Sequence, residues 1–596
     1  MQLSLFSPEV YQNTRKFVHL SIYILYHTMK RTFLSTLLAT VSCGCLLAAT
    51  PDETEPAKAR FDLFSYTGND AYYTLPEGFD PRLNYINPIL SGTYPDPSIC
   101  RKGNDYYMVN SSFCYFPGIP VWHSTDLVNW KQIGYALDRP SQLTIKAGMG
   151  TNAGIYAPDI KYNPHNDTFY LIVTDIGGKG NIIVKSKDPA RGWSEPIRVR
   201  EVGGIDPSFL FDTDGKCYIV NNQSPAYPPE YDGHCAIWIR EYDTETDRVC
   251  SPATVLVDKG VHPEERPIWI EGPHLYHIGD TYYLMAAEGG TGPQHSEVIF
   301  ASDKPTGPFT PCPINPILTQ RDLPADREFP ITCTGHADLV ETPEGKWWAV
   351  FLGVLPYDGH HDNTGRNTFL LPVEWNEEQP IILPQGERVA TFGEKENMAT
   401  GQLLTGNFSY TDNFDAHQPD MKWITLRTPK SVWWKQSDGV MELTPRPCTL
   451  AEKKQPSFLC RWVKHANYTA STRLDFTPQK AGELAGLAVF QDEKGHYVLG
   501  KRMNTQGECE VVVIRSDKEG SRVVARQLLG AKWQKKAIWL QIESKGSSYT
   551  FDYSRNGKKW HTLGTPQEGH IITTQYAGGF TGSSIGLYAT TAETSR

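Results

Sequence analysis

Short apolar segments alternate with polar turns along this chain, and one such unit recurs five times. Each copy begins with a polar turn, continues with an aromatic or apolar pair, and ends in an apolar strand. The copies cover residues 104–109, 166–172, 214–220, 279–285 and 344–350. Asn-Asp and Asp-Gly turns between apolar runs favour hairpins, because these residues tolerate the positive φ of tight turns. The pattern therefore predicts five β-hairpins.

A second short strand precedes each hairpin and begins ten or eleven residues before the aromatic pair. The first residues of these strands are Asp96, Pro158, Asp206, Glu271 and His336, and Asp159 follows Pro158. Five such units favour an all-β, five-bladed propeller, in which the first strand of each blade runs along a central channel. We therefore expect Asp96, Asp206 and Glu271, with Asp159 and His336, to surround one funnel.

The pattern changes after Trp375. Alternating segments return at 486–490, 549–553 and 584–589, and Asn556-Gly557 is a strong hairpin signal between two of them. The sequence predicts a propeller over residues 84–378, a linker over 379–405, and an antiparallel β-sandwich of the jelly-roll type over 406–596.

The overall charge limits the class of partner. The 596 residues carry 57 Lys and Arg against 67 Asp and Glu, a net charge of −10, with no basic cluster. Nucleic acid requires a concentrated positive surface and is excluded as a partner. An uncharged polysaccharide fits this surface, and no protein partner is evident.

The N-terminus has the pattern of a secretory signal. Lys30-Arg31 is followed by an apolar or small stretch over 32–49, with no acidic residue before Asp52. Residues 1–50 are predicted to be an upstream extension and a signal peptide whose true start is Met29. The apolar run is too short for a stable membrane span. We expect export, to the periplasm or to a lipid anchor at Cys43 or Cys45 on a bacterial cell envelope.

Three of the five inner strands begin with a carboxyl group, and this convergence has a chemical meaning. A single Asp-Pro-Ser is usually only a turn, but carboxyl groups that meet in a channel are costly unless they are paired, solvated or used. Hydrolysis of a glycosidic bond needs one carboxylic acid and one carboxylate, and a third acid nearby can keep the first protonated. Asp96, Asp206 and Glu271 are the candidate catalytic residues.

The motifs around these acids resemble those of glycoside hydrolase family 43. They are Tyr94-Pro95-Asp96-Pro97-Ser98, Gly204-Ile205-Asp206-Pro207-Ser208, Glu271-Gly272-Pro273-His274, Gly335-His336-Ala337-Asp338 and Gly365-Arg366-Asn367-Thr368. The resemblance covers about residues 87–375 and implies inverting hydrolysis of α-L-arabinofuranosides or β-D-xylosides. It makes Asp96 the general base, Glu271 the general acid and Asp206 the residue that orients Glu271 and raises its pKa.

The resemblance also implies a sugar-binding set. Arg366 would hydrogen-bond sugar hydroxyls, Phe116 and Tyr156 are candidates for stacking on the sugar, and His336 would line the channel beside a possible structural calcium ion. Asn367 stands where the family more often has Glu, which leaves the sugar preference open. No other cofactor is expected. The C-terminal sandwich resembles the concanavalin-like domain of many family members, and we expect it to support the propeller rather than bind carbohydrate.

Three other functions compete with this hypothesis. A non-catalytic carbohydrate-binding propeller would have lost at least one of the three acids, and all are present. A fructan enzyme would carry an early Asn-Asp-Pro-Asn signature, which the sequence lacks. Endo-cleavage of arabinan stays open, although the predicted sandwich is more typical of exo-acting members.

Overall fold

Five antiparallel sheets follow one another along the chain in a computed structural model, which describes residues 56–396, 398 and 405–593. They form the five blades of a propeller, so the predicted all-β fold is confirmed. The predicted signal peptide, with Met29, Cys43 and Cys45, lies outside the described residues, as does part of the predicted linker.

Each blade is a four-stranded meander or a close variant of one. Blade 1 contains Ser98–Lys102, Asp105–Val109, Gly118–Ser124 and Lys131–Leu137; blade 2 contains Gly154–Ile155, Asp159–Asn163, Thr168–Ile176, Gly180–Ser186 and Ile197–Arg198; blade 3 contains Ile205–Phe211, Cys217–Gln223, Ala236–Asp243, Arg248–Val249 and Thr254–Asp258; blade 4 contains Glu271–Ile278, Thr281–Glu288, Ser296–Ser302, Thr310–Pro311 and Leu318–Thr319; blade 5 contains Thr332–Glu341, Trp347–Val354, Arg366–Trp375 and Pro380–Ile381. In every blade a predicted hairpin repeat coincides with the strand that follows the inner strand; in blade 2 this is Thr168–Ile176.

The blades are held together by apolar side chains that meet between neighbouring sheets. Tyr170 of blade 2 packs edge-on against Phe209 of blade 3, with ring centroids 5.9 Å apart. Leu284 and Phe300 of blade 4 are fully or almost fully buried in a cluster with Ile237 of blade 3. This packing fixes the ends of the inner strands around the channel.

Two larger sheets stack into the sandwich. The nine-stranded sheet contains Ala59–Gly68, Ser409–Asp412, Trp434–Ser437, Val440–Leu443, Asn467–Asp475, Ile538–Lys545, Ser548–Ser554, Trp560–Thr562 and Gln567–Glu568; the eight-stranded sheet contains Tyr115–Phe116, Ile424–Leu426, Ser457–Trp462, Leu484–Asp492, Gly495–Met503, Cys509–Asp517, Gly520–Leu528 and Ser584–Thr590.

The sandwich includes two segments from outside the predicted range 406–596, Ala59–Gly68 and Tyr115–Phe116. Ala59–Gly68 precedes the propeller in sequence but pairs with Ser409–Asp412 and Asn467–Asp475. Phe61 and Phe64 of this strand are completely buried in the sandwich core. The boundary is therefore discontinuous, because the strand buries its apolar face only against partners about 400 residues away.

The remaining elements are short. Asn84–Ile86 pairs with Phe392–Glu394, so part of the predicted linker is ordered against the start of the propeller. The 3-10 helices are Ala71–Tyr73, Pro263–Glu265 and His570–Ile572, and the α-helices are Ala531–Gln534 and Thr574–Ala577. Within the described ranges, every helix has only three or four residues, so none is long and apolar enough to cross a membrane.

The two domains share hydrogen bonds that place one sandwich loop beside the propeller channel. Asp362, in the loop that enters the last strand pair of blade 5, accepts hydrogen bonds from Thr574 Oγ1 at 2.9 Å and Gln575 Nε2 at 2.7 Å. Asn152 of blade 2 accepts one from the backbone N–H of Phe580 at 2.7 Å. These contacts hold the 574–582 loop against the mouth of the channel.

Candidate active site

The channel mouth contains a pocket of about 70 Å³ in which the three predicted acids meet. Its wall is formed by Asp96, Phe113, Tyr156, Ala157, Ile205, Asp206, Glu271, Thr291, His336, Arg366 and Phe580. Since roughly 10–15 Å³ of such space is enough for one ordered water, the pocket holds about five to seven waters. Such a space suits a single monosaccharide ring.

An unusual backbone conformation turns the acids towards the pocket. Asp96, Asp206 and His336 have φ values of 53°, 52° and 53°, in the left-handed region that residues other than glycine rarely adopt. Blades 3, 4 and 5 also have register shifts in their inner strands at this level. Bulges of this kind re-aim side chains near active sites, and strain of this kind persists only where the surrounding structure enforces it.

Glu271 occupies a different position in its strand from the two aspartates. It pairs with Ala287, as Ile205 pairs with Asn222 one residue before Asp206. Gly272 takes the left-handed conformation in this blade, with φ of 55°. Glu271 therefore lies one residue earlier in its strand than Asp206 does, and its longer side chain still reaches the pocket.

Asp96 is held as a carboxylate. Its Oδ1 accepts a hydrogen bond from Arg366 Nη1 at 3.0 Å, its Oδ2 accepts one from Ser111 Oγ at 2.5 Å, and His336 Nδ1 lies 3.7 Å away. Burial opposes ionisation, but the charges of Arg366 and His336 and the Ser111 hydrogen bond outweigh it, and the pKa of Asp96 is lowered.

Glu271 is held as a neutral acid. Loss of solvent raises its pKa to about 8, and the nearby charge of Asp206 adds to the rise. The pKa of Asp206 is itself raised to about 6, first by burial, with the charge of Asp96 adding to the rise. Asp206 Oδ2 accepts a hydrogen bond from the backbone N–H of Gly272 at 3.1 Å, which ties it to the residue that follows Glu271. One pocket thus contains a proton acceptor and a proton donor at neutral pH.

The aromatic wall differs from the prediction. Phe116 does not line the pocket, because it belongs to Tyr115–Phe116, pairs with Thr425 of the sandwich and is buried in the core. Phe113 takes the place expected for Phe116, and Tyr156 lies beside it with ring centroids 5.7 Å apart. Tyr156 therefore reaches the predicted site and Phe116 does not.

Phe580 is a pocket residue that sequence reasoning missed. It comes from the sandwich loop, and its ring lies 5.4 Å from the Arg366 guanidinium carbon, while Phe113 lies 5.8 Å from the same carbon. Arg366 is thus flanked by two aromatic rings, at distances typical of cation–π interaction. No local motif marks Phe580, since only the docking of the sandwich brings it to the channel.

Asn367 has a structural position. Its side chain is completely buried, accepts a hydrogen bond from the Gly92 N–H at 2.7 Å and donates one to the Gly365 carbonyl at 2.9 Å. It supports the backbone around Arg366 and is absent from the pocket wall. The departure from the family pattern at Asn367 therefore acts on the loop behind the pocket.

A second polar cluster, separate from the three acids, bears on the structural calcium ion expected beside His336. Asp159, His274 and Asp338 are the one group of three His, Cys, Asp or Glu residues in the described chain whose ligand atoms lie within 4.8 Å of one another. Lys161 Nζ already lies 2.7 Å from Asp338 and 3.4 Å from Asp159. An ammonium ion in this position repels a second cation, and calcium prefers a shell of oxygen ligands. The cluster therefore fits calcium poorly, and His336, the residue suggested for it, is outside the cluster.

Comparisons with known proteins agree with this architecture. Residues 85–380 match the model of glycosyl hydrolases family 43, and residues 411–596 match the β-xylosidase C-terminal concanavalin A-like domain. The chain is 37% identical to a non-reducing end α-L-arabinofuranosidase of Bacteroides ovatus, over 85% of this chain and 91% of that protein. It is 35% identical to a xylosidase/arabinosidase of Butyrivibrio fibrisolvens, over 84% and 95% of the two chains.

Solved structures show the same arrangement of domains. A crystal structure of a GH43_12 protein retrieved from a capybara gut metagenome is 40% identical and superposes with a TM-score of 0.83. The match covers 90% of this chain and all of that one, so both the propeller and the sandwich are shared.

Proposed function

Because the chain belongs to glycosyl hydrolase family 43, we propose that it releases single pentoses, β-D-xylose or α-L-arabinofuranose, from the non-reducing ends of hemicellulose or its oligosaccharides. The observation that carries this proposal is the split in protonation among the three acids. Asp96 is ionised beside Arg366, whereas Glu271 is protonated in the same pocket. A glycosidase needs this pair of states at neutral pH.

The mechanism assigns one step to each acid. Asp96 accepts a proton from a water molecule, and the oxygen of that water attacks the anomeric carbon from the face opposite the leaving group. Glu271 donates its proton to the glycosidic oxygen as the bond to the anomeric carbon breaks. The product sugar therefore has the inverted configuration. Asp206 keeps Glu271 protonated until the leaving oxygen develops charge.

Arg366 contributes to binding as well as to the state of Asp96. Its guanidinium ion is planar and presents several N–H donors, which suits paired sugar hydroxyls. One donor is used by Asp96 at 3.0 Å, and the buried Nε has no hydrogen-bond partner among the residues that the structure describes. A sugar hydroxyl in the pocket would satisfy a donor of this kind.

The shape of the pocket supports exo-action. The 574–582 loop of the sandwich carries Phe580 into the wall of the pocket, and the volume of about 70 Å³ suits one terminal ring. Endo-cleavage of arabinan needs an open cleft and is the alternative that an experiment should exclude.

Turnover of 4-nitrophenyl α-L-arabinofuranoside and β-D-xylopyranoside tests the proposal, together with the anomeric form of the first product seen by proton NMR. Asp96→Asn should lose activity on every substrate, because no group then activates water. Glu271→Gln should lose most activity on natural oligosaccharides but retain more on aryl glycosides, whose leaving groups need less protonation. Asp214→Asn, at an exposed turn of blade 3, is the matched control and should match wild type.

Two results would contradict the proposal. Folded wild-type protein that binds xylo- or arabino-oligosaccharides without turnover would support a binding propeller. Internal cleavage of linear arabinan with no release of monosaccharide would support the endo-acting alternative.

We also propose that the protein acts outside the cytoplasm, in the periplasm or on the cell envelope. The basic pair Lys30-Arg31 and the apolar stretch after it support this location. Hemicellulose, the proposed substrate, is also a polymer that a bacterial cell meets outside its cytoplasm. Fractionation of cells expressing the full chain, with mass measurement of the mature N-terminus, tests it; recovery of the unprocessed chain in the cytoplasm would overturn it.

A further inference from the structure

An exposed apolar corner borders the pocket on the side of Glu271. Tyr227, Ile268 and Trp269 are 43%, 39% and 43% exposed, although large apolar side chains are usually buried. Ile268 and Trp269 belong to the connection between blades 3 and 4, and Trp269 precedes Glu271 by two residues. An aromatic side chain left in solvent beside a catalytic acid requires an explanation.

The backbone holds Trp269 in a strained conformation. Its φ is 55°, which is rare for a bulky residue and costs on the order of 1–3 kcal/mol unless the surroundings enforce it. The surroundings do enforce it: the Trp269 N–H donates to the Gly233 carbonyl at 2.8 Å, and the Ile268 carbonyl accepts from the Gly289 N–H at 3.0 Å. Asn222 Nδ2 donates to the carbonyl of Ile270 on the other side.

The indole of Trp269 packs against two glycines, Gly233 and Gly290. A β-carbon on Gly290 would stand 3.2 Å from Trp269 Cδ1, and one on Gly233 would stand 3.3 Å from Trp269 Nε1. Gly290 is followed directly by Thr291, which lines the catalytic pocket. The five-membered ring of the Trp269 indole is therefore held against the backbone at the rim, and part of the side chain is open to solvent.

We propose that Trp269 is the stacking platform for the sugar ring on the leaving-group side of the scissile bond. This inference rests on the proposed function and extends it to the part of the substrate outside the 70 Å³ pocket. The pocket accepts the terminal pentose, Glu271 protonates the oxygen at its rim, and the next ring must lie beyond Glu271. The apolar face of a neutral pyranose fits an exposed, rigid indole, since such a platform loses little side-chain entropy on binding.

The test compares two substrates that share the same pentose. One is a pentosyl fluoride, which has no leaving-group sugar, and the other is a pentose-terminated oligosaccharide. For Trp269→Ala, the ratio of kcat/KM for the oligosaccharide to kcat/KM for the fluoride should fall by about three- to tenfold relative to wild type. Trp269→Phe should restore most of the ratio. Trp560→Ala, at a partly exposed tryptophan of a sandwich strand, is the control and should leave it unchanged.

A second measurement keeps the test independent of turnover. In a Glu271→Gln background, calorimetry should show weaker oligosaccharide binding when Trp269 is replaced by Ala, with the same three- to tenfold change. An unchanged ratio and unchanged affinity, or an equal loss on both substrates, would overturn the inference. Failure of wild type to cleave either pentosyl fluoride would instead contradict the proposed function, and the calorimetric result would then decide the role of Trp269 by itself.

Discussion

The charge of Asp206 should set the alkaline limit of activity. Glu271 must be protonated to act, and its pKa of about 8 places the loss of activity near pH 8 as the pH rises. Burial is the larger cause of the raised pKa and the negative charge of Asp206 is the second. Replacing Asp206 by Asn removes the charge but retains an oxygen that can accept the Gly272 N–H.

The size of the effect follows from Coulomb interaction between two carboxylates. Two unit charges ~5 Å apart interact by ~3 kcal/mol at an effective dielectric constant near 20, which corresponds to about 2 pH units. Since burial accounts for more of the rise than Asp206 does, we expect the pKa of Glu271 to fall by about 1 to 2 pH units in the Asn variant. The variant should stay active at pH 5, where Glu271 is protonated in both proteins.

The assay is kcat/KM against pH for the free enzyme, with an aryl pentoside between pH 4 and 10. The alkaline limb should move to lower pH in Asp206→Asn and remain in place in the control Asp214→Asn. An unchanged limb, or one that moves to higher pH, would refute the assignment of Glu271 as the acid or of Asp206 as the residue that raises its pKa.

Four further outcomes are expected. Folding makes the ionisation of Glu271 unfavourable, because its pKa is raised to about 8 in the folded state. The wild-type protein therefore loses on the order of 5 kcal/mol of folding stability as the pH rises from about 4.5 towards 8. The melting temperature of Glu271→Gln should rise progressively above that of wild type from pH 5 to pH 8, and a constant difference would contradict this. Lys161→Met leaves two buried carboxylates without their cation and should destabilise folding by about 3–5 kcal/mol in denaturant titrations, whereas Lys102→Met, which breaks an exposed ion pair with Asp167, should cost about 0–1 kcal/mol. Phe580→Ala removes one wall of the pocket and should lower kcat/KM for a small pentoside by about tenfold, with Phe580→Tyr close to wild type. Dialysis against EDTA should leave kcat/KM unchanged, and a loss that added calcium restores would show a metal site.

The repeat pattern determined much of the fold without any tertiary information. Hairpin turns such as Asp214-Gly215 and the period of two in their strands depend on local backbone preferences, so five hairpins could be read directly from the chain. The five-fold recurrence then implied a closed ring of blades. The carboxyl residues at the start of three inner strands, Asp96, Asp206 and Glu271, implied that these side chains share one channel. These inferences hold because the start of a strand depends on local sequence, and the symmetry of the blades places each such start at the same end of the channel.

Other features were decided only by tertiary structure. Ala59–Gly68 joins the sandwich because its partners lie far along the chain, and no local signal specifies a partner. Phe113 rather than Phe116 reaches the pocket because Tyr115–Phe116 is captured by a strand of the sandwich. Phe580 reaches the pocket only because Asp362 and Asn152 hold its loop against the propeller.

The protonation states belong to the same category. Asp96, Asp206 and Glu271 have similar intrinsic acidity, and only the resemblance of their motifs to a known family, not their local chemistry, ranked them in the sequence. The ranking arises from burial and from charges that converge on the pocket across the blades, Arg366 beside Asp96 and Asp206 near Glu271. The repeat pattern of the sequence was enough to show which acids meet. The packing of the blades decided which acid accepts the proton and which donates it. The reason is that electrostatic energy depends on distances and solvent exposure that only the folded chain defines.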